Sequence, residues 1–194
     1  MTEQLTSLPY DRILQESKSI PRTDHGNLKV YKDLFGFSDN ELSGKSILDI
    51  GAADSKFAEE SAGITRRVVR LDLKFSGEPP KHRSGAITGI VQELPFADNS
   101  FDETLSAILL YWINTGLKEA LLEMIRVTQP EGKIRVFPAA LKKGEMAQYS
   151  PSTRLVYVSK HRSLSPTLII TKNSSYRPSD WRSEVSNILS CVDL

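Results

Sequence analysis

Apolar positions along the chain change their period near residue 44, and that change predicts most of the fold. Before it, Leu28, Tyr31, Leu34 and Phe35 recur at helical spacing, so a helix is expected over 27–35. Ser38 with Glu41 three residues later forms a capping-box pattern, predicting a short helical turn before Gly44. After it, short apolar runs alternate with amphipathic ones. Strands are expected at 46–50 (SILDI), 67–73 (RVVRLDL), 86–91, 103–110 and 133–137. Between them, 54–62 reads as a helix capped by Asp54 or Ser55, and 115–127 as a helix burying Leu117, Ala120, Leu121, Met124 and Ile125. The run Gln129-Pro130-Glu131-Gly132 is expected to end that second helix. Gly77, Pro79, Pro80 and Gly85 argue against a regular crossover helix over 74–85. Two last β-rich runs, 154–158 and 167–171, suggest a hairpin through HRSLSP. The tail over 179–192 predicts a helix with Trp181, Val185, Ile188, Leu189 and Val192 inward.

Strands alternating with helices imply right-handed crossovers and an α/β fold. The expected architecture is Rossmann-like: a mostly parallel central sheet, helices on both faces, and a C-terminal antiparallel hairpin. With 194 residues a single domain is expected, comprising an N-terminal arm or lid over 1–26, a core over 44–172 and the tail helix. In such sheets a ligand binds beyond the carboxyl ends of the strands, next to the first one. The stretch LDIGAADSKFA, 48–58, holds that place.

Charge decides what the turn can hold. A dinucleotide turn wants glycine at its first, third and sixth positions, but here those are Gly51, Ala53 and Lys56. Asp49 also puts a carboxylate near the place of the phosphates, with no phosphate-binding lysine motif to offset it. A cationic, phosphate-free cofactor would be favoured by the same carboxylate. ILDIGAADSKFA resembles the first motif of class I S-adenosylmethionine-dependent methyltransferases, acidic-x-Gly-x-Gly-x-Gly. Asp49 and Gly51 match it, while Ala53 and Ser55 stand where the pattern has glycine.

Three further stretches follow in the family's order. Asp72 comes 21 residues after Gly51, where the family has an acid on the ribose hydroxyls. GIVQELPFADNSFDETLSA is similar to the third and fourth strands, and IRVTQPEGKIRVF to the helix, turn and fifth strand. The resemblance covers roughly 44–137. It implies S-adenosyl-L-methionine as cofactor, held by Asp49, Gly51, Ala52, Ala53, Ser55, Asp72, Leu73, Val91, Gln92 and Ser106. Ile90 stands where many members have an acid for the adenine amino group. Adenine would therefore rest on main-chain groups of Val91 or Gln92 and on apolar packing.

Several residues keep two readings. Asp49 is a cofactor ligand or a core acid, and Asp72 a ribose ligand or a surface acid. Ser55 can cap a helix and donate to a cofactor carboxylate. At Ala53 a positive φ would strain the turn, whereas a negative φ would leave alanine harmless. Tyr111 and Trp112, after the fourth strand, are core residues or acceptor contacts. His25, His82 and His161 read as surface residues, and Arg126 as a helix and surface residue. No catalytic side chain is singled out, because methyl transfer chiefly demands alignment and the acceptor residues vary.

Composition changes this picture little. The net charge of +1 and the 39% hydrophobic and 25% charged content suit an ordinary globular protein without a nucleic-acid or membrane bias. SAILLYWI replaces the Asn/Asp-Pro-Pro-Tyr/Phe motif of base amino methylation, so a small-molecule acceptor is expected. Cys191 is the only cysteine, excluding an internal disulfide and a cysteine-based metal site. The N-terminus lacks the apolar core of a signal peptide, and a cytoplasmic protein is expected. Two rival expectations remain: a non-catalytic methyltransferase-like binding protein, and a small nucleotide-dependent oxidoreductase.

Overall fold

The computed structural model describes residues 26–73, 85–113, 115–141, 153–156, 167–175 and 177–194. The expected arm over 1–25, the loop over 74–84, the hairpin connection HRSLSP and all three histidines lie outside the described residues.

In chain order the elements are α1 (Leu28–Phe35), α2 (Asp39–Leu42), β1 (Ser46–Ile50), α3 (Phe57–Glu60), β2 (Arg67–Leu71), β3 (Ala86–Ile87) and β4 (Phe101–Ala107). They continue with α4 (Leu109–Trp112), α5 (Leu117–Val127), β5 (Thr128–Phe137), β6 (Ala140–Leu141), β7 (Thr153–Val156), β8 (Thr167–Thr171), α6 (Pro178–Cys191) and β9 (Val192–Asp193). Seven strands form one sheet in the order β3-β2-β1-β4-β5-β8-β7. The first five are mutually parallel, while β8 and β7 add an antiparallel pair at the far edge. This is the Rossmann-like α/β sheet that the alternating pattern predicts, and β1 sits where the strand order reverses.

Period-2 alternation splits the strands between two cores. Leu48, Ile50, Ile134 and Val136 face α5 and α6, with Leu121, Met124, Trp181 and Val185. Ile47 and Leu105 face the other side, with Tyr31, Phe35, Phe37 and Phe57. Phe35 and Phe57 are fully buried; truncating a buried phenylalanine to alanine costs about 3–5 kcal/mol.

Several expected boundaries move, each for a local reason. The helix expected over 54–62 is the four-residue α3; its N-cap position is Lys56, while the Ser55 Oγ accepts the Phe57 N–H at the helix start. The strand expected over 86–91 stops at Ile87, because Ile90 bridges back to Glu93 and leaves Val91 and Gln92 in a turn. β4 ends at Ala107 instead of 110, since Ile108 turns left-handed at φ 70°. Gln129-Pro130-Glu131-Gly132 does not separate α5 from β5. It is a bulge inside β5, with Phe101 opposite Thr128 and Glu103 already opposite Lys133. Glu131 takes φ 64°, and a Cβ on Gly132 would lie 2.7 Å from the Asp102 carbonyl. Val192, expected inward on the tail helix, begins β9 instead.

Candidate functional site

The site lies beyond the carboxyl ends of β1, β2 and β4. There β1 ends in Asp49 and Ile50, and the chain turns sharply through Gly51. Gly51 has φ 74° and donates its N–H to the Leu71 carbonyl at 2.8 Å. A Cβ on Gly51 would come within 2.6 Å of the Leu109 Cβ, so this position needs glycine for both conformation and space. Two residues on, Ala53 has φ 42°, the strained outcome of the two weighed from sequence. The left-handed backbone costs an L-residue about 1–2 kcal/mol. The Asp72 carboxylate holds the turn there, accepting the Ala53 N–H at 3.0 Å.

Asp49 is completely buried on the α1 side of the sheet, and both its carboxylate oxygens face the Tyr31 hydroxyl, at 2.9 and 2.8 Å. One phenolic proton serves two oxygens, so the carboxylate is under-donated for its burial. Arg70, 1% exposed, stands opposite Asp49 in the β1–β2 register and adds positive charge on the same face. Burial pushes the Asp49 carboxyl up to about 7; Tyr31 and Arg70 pull against that shift, and the Asp72 charge adds to it. Burial, and then the Asp49 charge, hold Tyr31 well above the usual phenol range. Tyr31 therefore stays a proton donor. Its ring is pinned flat on Phe57, with centroids 4.4 Å apart and an interplanar angle of 5°.

Ser55 is buried and doubly engaged. Its Oγ donates to the Gly26 carbonyl at 2.7 Å and accepts the Phe57 N–H at 3.1 Å. A Cβ on Gly26 would lie 2.3 Å from that Oγ, so only glycine lets the chain pass here. Gly26, Tyr31, Gly51, Ala52, Ser55, Ala107 and Ile108 line a small pocket that opens to solvent. No cationic side chain is among these lining residues. Ile108 combines a β-branched side chain with its left-handed φ, a strain of order 1–3 kcal/mol at the cavity wall.

Of the ten residues expected at the site, the cavity wall gathers Gly51, Ala52 and Ser55. Asp49 is linked to it through Tyr31, and Asp72 is linked to the turn through Ala53. Leu73 follows Asp72 at the end of β2. Val91 packs in the core, and Gln92 spends its amide on the Thr115 carbonyl at 2.9 Å. Ser106 pairs with Ile50 and so faces the side of the sheet opposite Asp49. It is buried, and its Oγ has no hydrogen-bond partner. Tyr31, Gly26, Arg70 and Ile108 were not expected at the site. In the sequence, Tyr31 reads only as part of an apolar helix face.

Residues 48–136 match the profile of the methyltransferase domain. Through this segment, which is less than half of the 194 residues, the chain is similar to methyltransferase domains. Among curated relatives, a demethylmenaquinone methyltransferase of Renibacterium salmoninarum is 37% identical over 99 residues, 49% of this chain and 41% of that protein. The mitochondrial arginine-hydroxylase NDUFAF5 of Danio rerio is 33% identical over 103 residues, 50% of this chain and 31% of that protein. The chain spans less than half the length of either relative. Among solved structures, the YcgJ protein of Bacillus subtilis is 19% identical with a TM-score of 0.43, covering 53% of this chain and 48% of that one.

The matched segment opens in β1, runs through its left-handed turn and carries Asp72 just after β2. Among the described residues, no group of three or more His, Cys, Asp or Glu could hold a metal ion. No described helix is long and apolar enough to cross a membrane.

Proposed function

We propose that the chain is an S-adenosylmethionine-dependent methyltransferase acting on a small-molecule acceptor. The buried Asp49 carboxylate carries this reading, because it lies behind a cavity whose described lining residues offer no cation for a phosphate. A cofactor with an ammonium and no phosphate fits that charge pattern. A bound cofactor would supply a sulfonium-activated methyl group for an acceptor lone pair.

The chain's own groups then have distinct parts. Asp49, oriented by Tyr31, supplies negative charge for the ammonium. Ser55 and the main chain at Gly51, Ala52 and Ala53 receive the carboxylate. Asp72 accepts from the ribose hydroxyls, with Leu73 and the Val91–Gln92 main chain beside the adenine. The Ser106 hydroxyl, buried without a partner, is a donor held at the carboxyl end of β4. The small-molecule acceptor is supported by the name of the demethylmenaquinone methyltransferase relative and by the net charge of +1. The single cysteine suits a cytoplasmic setting.

Titration calorimetry with S-adenosylmethionine tests the proposal directly. Saturable binding is expected, and no heat at millimolar cofactor would sink it. A second reading, binding without catalysis, is favoured by one observation. The Gly26 carbonyl and the Tyr31 hydroxyl already engage Ser55 and Asp49, two of the proposed ligands. Cofactor binding without methyl transfer across a panel of phenol, amine and carboxylate acceptors would select that reading. The relative named as an arginine-hydroxylase shows that the domain match alone does not fix the reaction.

A further inference from the structure

Tyr111 is 57% exposed and Trp112 is 40% exposed, and these are the exposed large hydrophobic side chains of the described residues. Burial therefore does not account for them, and core packing, one of the two readings open from sequence, is removed. Their position is continuous with the candidate site. Ile108 lines the cavity, Leu109 packs against Gly51 at the cofactor turn, and Tyr111 and Trp112 complete the same four-residue helix. The left-handed Ile108 aims that helix, because it breaks β4 one residue after the last strand position.

The rings meet edge to face, with centroids 5.3 Å apart and planes at 87°, so the two faces stand at right angles and form a corner. Edge-to-face contact is a favoured aromatic arrangement, and it holds both rings in place before anything binds. The run Leu109 to Ile113 carries no charged residue. Such a corner receives a flat, uncharged ring by stacking on one face while the other ring closes its edge. It carries no cation to neutralise a carboxylate or a phosphate.

We propose that Tyr111 and Trp112 form the acceptor platform, and that the acceptor presents an uncharged planar ring system. This rests on the methyltransferase reading, since the occupant is taken to be the molecule that meets the transferred methyl.

The test uses the full chain and three probes of similar size: 2-naphthol, its charged relative 2-naphthoate, and its saturated, non-planar relative 2-decalol. Trp112 emission is followed with and without S-adenosylhomocysteine. The expected result is saturable quenching by 2-naphthol, lost in Trp112→Phe, with each other probe binding about two- to tenfold more weakly, the scale of one aromatic stacking contact. Tyr111→Ala should loosen 2-naphthol by about the same factor. Because both side chains are exposed, the variants should melt with the parent, which separates lost binding from lost folding. Equal affinity for all three probes would overturn the platform, as would unchanged affinity in Tyr111→Ala. A Trp112 response to phosphatidylcholine vesicles but not to 2-naphthol would overturn it in favour of a lipid surface. Absence of S-adenosylhomocysteine binding in the same titrations would count against the methyltransferase reading, whereas the probe series judges the platform separately.

Discussion

Asp49 concentrates the tension of the site in one side chain. Its carboxyl titrates at about 7 in the fold against 3.8 for the ordinary group. In that interval the fold holds a proton that the unfolded chain has lost, so stability falls as pH rises from about 4 to about 7. A shift of roughly three units corresponds to on the order of 4 kcal/mol. Asp49→Asn should therefore stabilise the unliganded protein at pH 8 and change it little at pH 4, as denaturant melts at the two values would read. Cofactor affinity should run the opposite way, because only the ionised carboxylate attracts an ammonium. Below pH 7 the affinity should fall by up to about tenfold per unit, and a pH-flat affinity in calorimetry would remove Asp49 from the binding role. At Ala53 the strain has a simpler exit. Ala53→Gly removes the Cβ cost of φ 42° but adds backbone entropy to the unfolded chain. The net expectation is a gain of about 0.5–1 kcal/mol with cofactor binding retained or tightened; a loss of stability would show that the turn does not store this strain.

At the scale of elements, α1 matters because it carries Tyr31, and its seat is built from charge. Arg135 on β5 donates to the Phe35 carbonyl at 2.8 Å and to Glu103 at 3.0 Å, and Lys45 reaches the same glutamate at 2.5 Å. Glu103 is fully buried. Removing it takes from Arg135 its fully buried acidic partner beside the end of α1, leaving Glu41 at 3.5 Å, a change worth about 3–5 kcal/mol when a buried pair is broken. Glu103→Ala should thus lower the unfolding free energy by that amount and speed hydrogen exchange across 28–35. Loss confined to global stability, with α1 exchange unchanged, would deny the seat. The helix itself was legible as a period in Leu28, Tyr31, Leu34 and Phe35, as was the parallel sheet in its apolar runs. Its chemical duty was not, since a tyrosine on an apolar helix face looks the same whether its hydroxyl meets solvent or Asp49. The bulge in β5 and the left turn at Ile108 were hidden for a related reason. Both are fixed by partners distant in sequence, Lys172 and Phe137, whose backbone groups bond Glu131, Gly132 and Ile108. Asp49, Gly51 and Asp72 were legible because their spacing is set locally, by a strand end, a turn and the next strand.

For the whole molecule, the cavity joins segments from three parts of the chain: Gly26 and Tyr31, the turn after β1, and the end of β4. A ligand seated among them bonds to pieces that separate on unfolding, so its binding energy becomes folding energy. At S-adenosylhomocysteine one hundred times its Kd, unfolding should cost about 2.7 kcal/mol more. For a domain of 194 residues that is a rise in Tm on the order of 5–10 °C. The same measurement on Asp49→Asn separates a structural acid from a binding one, because the two roles predict different pairs of signs. If Asp49 serves the ligand, the substitution raises the unliganded Tm at pH 8, by removing a buried charge, and abolishes most of the ligand-induced rise. If it serves only packing, the ligand-induced rise survives intact. A higher unliganded Tm together with a lost ligand response is the outcome that binds charge, fold and function to this one carboxylate.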